Sequence, residues 1–124
     1  MRKERPKNLQ ISTVNFPITA IASILHRISG IIVFIVLALF LILLNYSLTS
    51  EQEFQNIARY FDSLLFDFVI WGGLTALAYH AVFGVRHMIQ DLGHWEELES
   101  AVLSTKLAFL LTALLSISVG WLLW

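Results

Sequence analysis

Long apolar stretches separated by short polar ones set the plan of this chain. Between Arg27 and Glu51 every residue from Ile28 to Ser50 is uncharged. The runs Phe68–Val85 and Leu107–Trp124 are uncharged as well, with His80 taken as neutral. A helix needs roughly 20 apolar residues to cross a hydrocarbon core, with a range of about 17–25. All three runs reach that length. Within lipid an isolated segment must be helical, because only a helix satisfies its own backbone groups. The pattern therefore predicts an all-α membrane protein with three transmembrane helices, at about 18–46, 65–89 and 105–124. Residues 1–17 form a polar N-terminal segment of the same single membrane domain. Asn15-Phe16-Pro17 offers a cap followed by a proline in the first turn.

The intervening segments are short. The first, about Tyr46–Asp62, reads as a surface connector, with Phe54, Ile57, Ala58 and Phe61 recurring at helical spacing as a short amphipathic stretch. The second, Gln90–Thr105, carries Asp91, Glu96, Glu97 and Glu99. Composition agrees with the membrane reading: 57% hydrophobic, 14% charged and a mean hydropathy of +0.73, against about 25% charged residues in an ordinary soluble domain.

Charge placement adds orientation. Of the eight Lys and Arg residues, only Arg59 lies in the first loop. Arg2, Lys3, Arg5, Lys7 and Arg27 precede the first span, and Arg86 and Lys106 flank the second loop. The positive-inside rule puts the N-terminus inside, in the cytoplasm, and the C-terminus outside. Trp121 and Trp124 suit the far interface and Trp95 the near one. The expected location is a membrane, crossed several times. No cleaved signal peptide is expected, since some twenty mostly polar residues precede the first apolar run. With no cysteine in the chain, disulfides, Cys-ligated iron–sulfur clusters and covalent c-type haem are excluded on it. Nothing in the sequence supports a nucleophile–base triad, a phosphate-cradling glycine loop or a nucleic-acid patch.

Ionisable groups inside a membrane protein are expensive, which makes them functional candidates. Ser23, His26 and Arg27 fall on one helix face at offsets of three and four. Their hydroxyl, imidazole and guanidinium could together bind a quinone carbonyl, a haem propionate or a lipid phosphate. The same positions also suit a plain snorkelling pair at a span's end. His80 lies deeper, roughly 10 Å along the helix from Arg86 and His87. It shares a stripe with Gly72, Ala76 and Gly84, where something flat could approach the backbone. A neutral imidazole there is either a ligand for b-type haem or a histidine hydrogen-bonded across a packing seam. No second histidine reads as equally deep, so a bis-histidine haem would take its other ligand from a partner chain. Arg86 and His87 read as a basic pair at the cytoplasmic edge, open to head groups or propionates. Asp91 reads as their partner, a proton relay or a solvated helix end, and His94 and Trp95 as loop residues facing the interface.

Two stretches resemble a known family. Arg5-Pro6-Lys7-Asn8-Leu9 with Phe16-Pro17-Ile18-Thr19-Ala20-Ile21-Ala22-Ser23-Ile24-Leu25-His26-Arg27-Ile28-Ser29-Gly30 is similar to the N-terminal signature of the cytochrome b membrane anchors of succinate dehydrogenase, complex II, in its proteobacterial form. His80-Ala81-Val82-Phe83-Gly84-Val85-Arg86-His87-Met88, with Asp91 and Gly93, resembles the signature of that family's second helix. One departure is Gln90, where the family usually has a bulky apolar residue; it is expected to matter little for cofactors. The resemblance implies a non-autonomous subunit of succinate:quinone oxidoreductase with no catalytic residue of its own, in a bacterial inner membrane with its C-terminus in the periplasm. It implies a second three-helix anchor, an iron–sulfur subunit and a flavoprotein subunit as partners, and no nucleic acid. It further implies haem b shared between the anchors, with His80 as one axial ligand to the iron and the partner anchor giving the other histidine. Ser23 and Arg27 would line a ubiquinone site, His26 and Arg27 would lie near the haem propionates, and Asp91 with Glu97 would stand on a proton path. A fumarate reductase anchor and a purely structural anchor are the competing expectations.

Overall fold

The computed structural model describes residues 16–124, and the basic positions Arg2 to Lys7, the first half of the N-terminal signature and the proposed cap Asn15 lie outside them. The described residues form four helices and no strand: α1 (Ile18–Ser47), α2 (Glu51–Ala58), α3 (Leu64–Asp91) and α4 (Leu98–Leu123), with a 3₁₀ turn at Arg59–Asp62 after α2. α1, α3 and α4 are long and apolar enough to cross a membrane. At 1.5 Å per residue the 30 residues of α1 extend about 45 Å, more than the roughly 30 Å hydrocarbon core.

Local sequence explains the boundaries. Pro17 is the N-cap of α1, just outside the helix rather than in its first turn, in the extended conformation that a proline tolerates. Ser50 and Ser63 cap α2 and α3 by accepting from the backbone N–H of Glu53 and Phe66, at 3.1 and 3.3 Å. α3 ends in a Schellman motif. Gly93 at φ +84° donates to the Gln90 carbonyl, and His94 donates to that of Ile89. α4 starts at Leu98, well before the expected position 105, so the second connector shrinks to Leu92–Glu97. The charges of Glu99 and Lys106 end the apolar run without opposing a helix, and Glu99 in the first turn suits the positive end of the dipole. The first connector contains α2, with Ile57 buried, at the amphipathic positions expected.

α3 is the central element, packed against α1 on one side and α4 on the other. The seams are narrow. Phe83, fully buried, stacks on Tyr79 at 4.3 Å and meets Phe109 edge-on at 5.0 Å, with Ala22 and Ala108 closing the cluster. At Gly73 a Cβ would lie 2.9 Å from Val36 Cγ1, so that helix approach requires a glycine. Most large apolar side chains of the three long helices point outward. That is the arrangement a lipid solvent favours, since helix association there comes from close packing and interhelical hydrogen bonds.

Candidate functional site

The α1–α3 seam carries a pair of imidazoles. On α1, Ala22, His26 and Ser29 recur at offsets of four and three and face α3; on α3, Tyr79, His80 and Phe83 face back. The rings of His26 and His80 stack with centroids 4.4 Å apart and planes 6° from parallel. Each ring reaches the other residue's backbone: His26 Nε2 lies 3.2 Å from the His80 carbonyl, and His80 Nδ1 lies 3.3 Å from the His26 carbonyl. Tyr79 adds a third tie, its hydroxyl donating to the Ala22 carbonyl at 3.0 Å.

Counting protons assigns the tautomers. Ser29 Oγ donates its only hydrogen to the His26 carbonyl at 2.7 Å. Its oxygen, 3.2 Å from His80 Nδ1, is therefore left as an acceptor. Both neighbours of His80 Nδ1 are acceptors, so Nδ1 carries the proton and Nε2 keeps a lone pair. His26, facing a carbonyl with Nε2, is the opposite tautomer and donates from that atom. A glycine gives the pair room on one side: a Cβ at Gly30 would sit 3.0 Å from His80 Cε1, whereas one at Gly84 would only touch His26 Nε2 at an ordinary 3.5 Å.

A third imidazole lies alongside. The His87 ring is 5.1 Å from that of His26, tilted by 56°. Its Nε2 is enclosed and has no hydrogen-bond partner among the described residues, where buried polar atoms normally have one. His80 is thus not isolated, as its sequence position suggests; helix crossing brings three histidines together. Of the expected stripe, Gly84 and His80 face α1, while Gly72 is open with nothing near it. The other polar positions of α1 diverge from the pair. Ser23 is half-buried and Arg27 is exposed.

Arg86 departs most from expectation. Rather than lying open at the edge, it is 4% exposed. Nε donates to Ser104 Oγ at 3.1 Å, Nη1 to Gln90 Oε1 at 2.8 Å and Nη2 to the Ala101 carbonyl at 3.0 Å. Buried and bonded at each of its three nitrogens, the guanidinium is turned towards α4 rather than towards head groups or propionates. It clamps α3 to α4, and Gln90, given little weight from sequence, is one of its partners. Asp91, the last residue of α3, is exposed and pairs with neither Arg86 nor His87. Glu97 is the exposed N-cap residue of α4. His94 and Trp95 lie in the turn between them, Trp95 at φ 58°, which is strained for a bulky residue.

Sequence reasoning missed the roles of Ser29, Gly30 and Gln90. Ser29 carried the signal that singled out its neighbours, a polar residue one turn from His26 inside an apolar run.

These residues fit a b-type haem on one side. An imidazole with its proton on Nδ1 keeps the Nε2 lone pair for a metal ion, and the enclosed Nε2 of His87, without a partner among the described residues, marks a polar place beside His26. His26 cannot serve as the opposite axial ligand to the same iron. It lies face to face with His80, and its Nε2 is committed to a carbonyl.

Residues 1–119 match the family model described as succinate dehydrogenase/fumarate reductase transmembrane subunit. The succinate dehydrogenase cytochrome b556 subunit of Coxiella burnetii is 30% identical over 125 aligned residues, covering 100% of both chains. The cytochrome b560 subunit of Reclinomonas americana is 31% identical, covering 90% of this chain and 84% of that one. The cytochrome b556 subunit of Paracoccus denitrificans is 31% identical, covering 81% and 77%. With three spanning helices, the chain is a multi-pass protein of the bacterial inner membrane. It belongs to the succinate dehydrogenase/fumarate reductase transmembrane subunit family.

Proposed function

We propose that this chain is the cytochrome b anchor of a succinate dehydrogenase, holding one side of a haem b through His80 and lining a ubiquinone site with Ser23 and Arg27. The carrying observation is the state of His80: among the described residues its Nδ1 meets two acceptors, which leaves the Nε2 lone pair free for iron. The names of the relatives favour succinate dehydrogenase over the fumarate reductase direction that the family also contains. A second anchor chain would supply the other histidine that holds the haem. An iron–sulfur subunit delivers the electrons that a flavoprotein subunit takes from succinate. The end of the bundle bearing Arg27, Arg86 and Lys106 faces the cytoplasm.

When bound, the haem supplies a one-electron store beside the quinone. The work of the chain itself is positioning and electrostatics. The exposed guanidinium of Arg27, one turn from Ser23, meets negative charge developing on a quinone oxygen, while the Ser23 hydroxyl donates a directed hydrogen bond. Arg27 is also the ready cation for a haem propionate, because the Nε2 proton of His26 is already given to the His80 carbonyl. Asp91 and Glu97, exposed at the two ends of the α3–α4 turn, take the role of passing protons from water towards that edge in this reading.

The test uses the complex purified with its co-expressed neighbours. Its reduced-minus-oxidised spectrum should show b-type bands; an intact complex without them would overturn the haem assignment. Arg27→Leu should lower quinone reduction by about 10²-fold, the scale of one lost electrostatic donor, with Ser23→Ala less severe. Succinate oxidation by a dye acceptor should be unaffected in both. Equal loss of the two activities would contradict the quinone site.

A further inference from the structure

Ser29 is 5% exposed, and nothing about lipid contact or quinone chemistry requires a hydroxyl there. Its hydrogen bonds are directional. The short 2.7 Å donation to the His26 carbonyl uses its only proton, and donation also polarises the oxygen and makes it a better acceptor. That oxygen is the nearer of the two acceptors facing His80 Nδ1, at 3.2 Å against 3.3 Å for the His26 carbonyl. If the His80 proton moved to Nε2, the Nδ1 lone pair would confront a carbonyl oxygen at 3.3 Å. Ser29 would then have to give up its own shorter bond to supply a donor. The arrangement favours one proton position and opposes the other. Gly30, next in sequence, leaves just enough room for the ring to take that orientation.

We propose that Ser29 is a positioning residue for the iron ligand: with the His26 carbonyl it locks His80 in the Nδ1–H tautomer and strengthens Nε2 as an electron-pair donor to the metal. The proposal rests on the reading of His80 as an axial ligand. Hydrogen-bond partners behind a metal-bound imidazole orient the ring and strengthen it as a donor. A stronger donor stabilises ferric over ferrous iron, so the Ser29 acceptor holds the haem potential down. Removing it raises the potential.

The experiment is a spectroelectrochemical titration of the haem in the purified complex, comparing wild type with Ser29→Ala and Ser29→Cys. His80→Leu serves as a control for the underlying reading. Alanine keeps the residue small, so the packing of the seam is preserved while the acceptor is lost. Ser29→Ala should retain haem and displace the ferric-to-ferrous equilibrium towards ferrous by up to about tenfold, which is 59 mV for a one-electron couple. Cysteine, close in shape and a weaker acceptor, should fall between the two. A wild-type potential in Ser29→Ala, in a complex whose His80→Leu form has lost its haem, would overturn the positioning role and leave the ligand assignment standing. Haem retained in His80→Leu would instead remove the ligand assignment itself. Should Ser29→Ala not assemble, the cysteine variant decides by the same shift. Failure of both to assemble would make Ser29 a packing residue and overturn the proposal.

Discussion

Two polar clusters lie on opposite sides of α3. Towards α4, the Arg86 guanidinium is almost fully buried, and every nitrogen finds an oxygen on Gln90, Ala101 or Ser104. Towards α1, His26 and His80 are only half-buried, and their bonds to each other's backbone leave one ring nitrogen of His80 with its lone pair free. Burial alone would rank Arg86 as the stronger functional candidate. Hydrogen-bonding capacity reverses that ranking. A buried group with every nitrogen bonded within the protein holds helices together, whereas one held in orientation with a lone pair to spare can bind something else.

Substitutions on either side of α3 can separate the two clusters. The largest expected effect is from Arg86→Leu, which removes three hydrogen bonds from the guanidinium at the α3–α4 seam. At about 0.6 kcal/mol for an average interhelical bond in a membrane protein, the loss is about 2 kcal/mol. It should appear as a lower midpoint in detergent denaturation, while whatever complex assembles keeps a normal haem spectrum. Gly30→Ala acts on the other seam. The added Cβ meets His80 Cε1 at 3.0 Å, and overpacking costs about 1–3 kcal/mol. Here that cost falls on ring orientation. The haem-to-protein ratio should drop at nearly constant chain level, and an unchanged ratio would mean the ring has room to move. Gln90→Leu, the smallest, removes one donor's partner from Arg86 and should cost roughly 0.5–1 kcal/mol, read as a slightly lower denaturation midpoint with unaltered haem bands.

The spans were readable because charge avoidance over about 18 residues has no other common cause. The early start of α4 was not, since Glu97, Glu99 and Lys106 end an apolar run but not a helix that projects from the bilayer. The role of Arg86 was hidden for a related reason. A cation at the edge of a run looks like a snorkelling one until Ala101 and Ser104, on the next helix, are folded against it. His80 stood out as a polar residue at membrane depth. Its partners did not, because Ser29 and His26 are 51 and 54 residues away in sequence, and their meeting depends on how α1 crosses α3. Sequence showed where the polar atoms are; proton placement required the crossing.

The function proposed for the α1–α3 seam turns on one nitrogen of His80 holding a cofactor. Its most direct test is the haem-to-protein ratio of the assembled complex carrying His80→Leu, read from the reduced-minus-oxidised spectrum. The b-type bands should disappear while the chain remains in the membrane with its partners, because the Arg86 clamp and the Phe83 cluster are untouched. Full b-type absorbance in that variant would contradict the assignment.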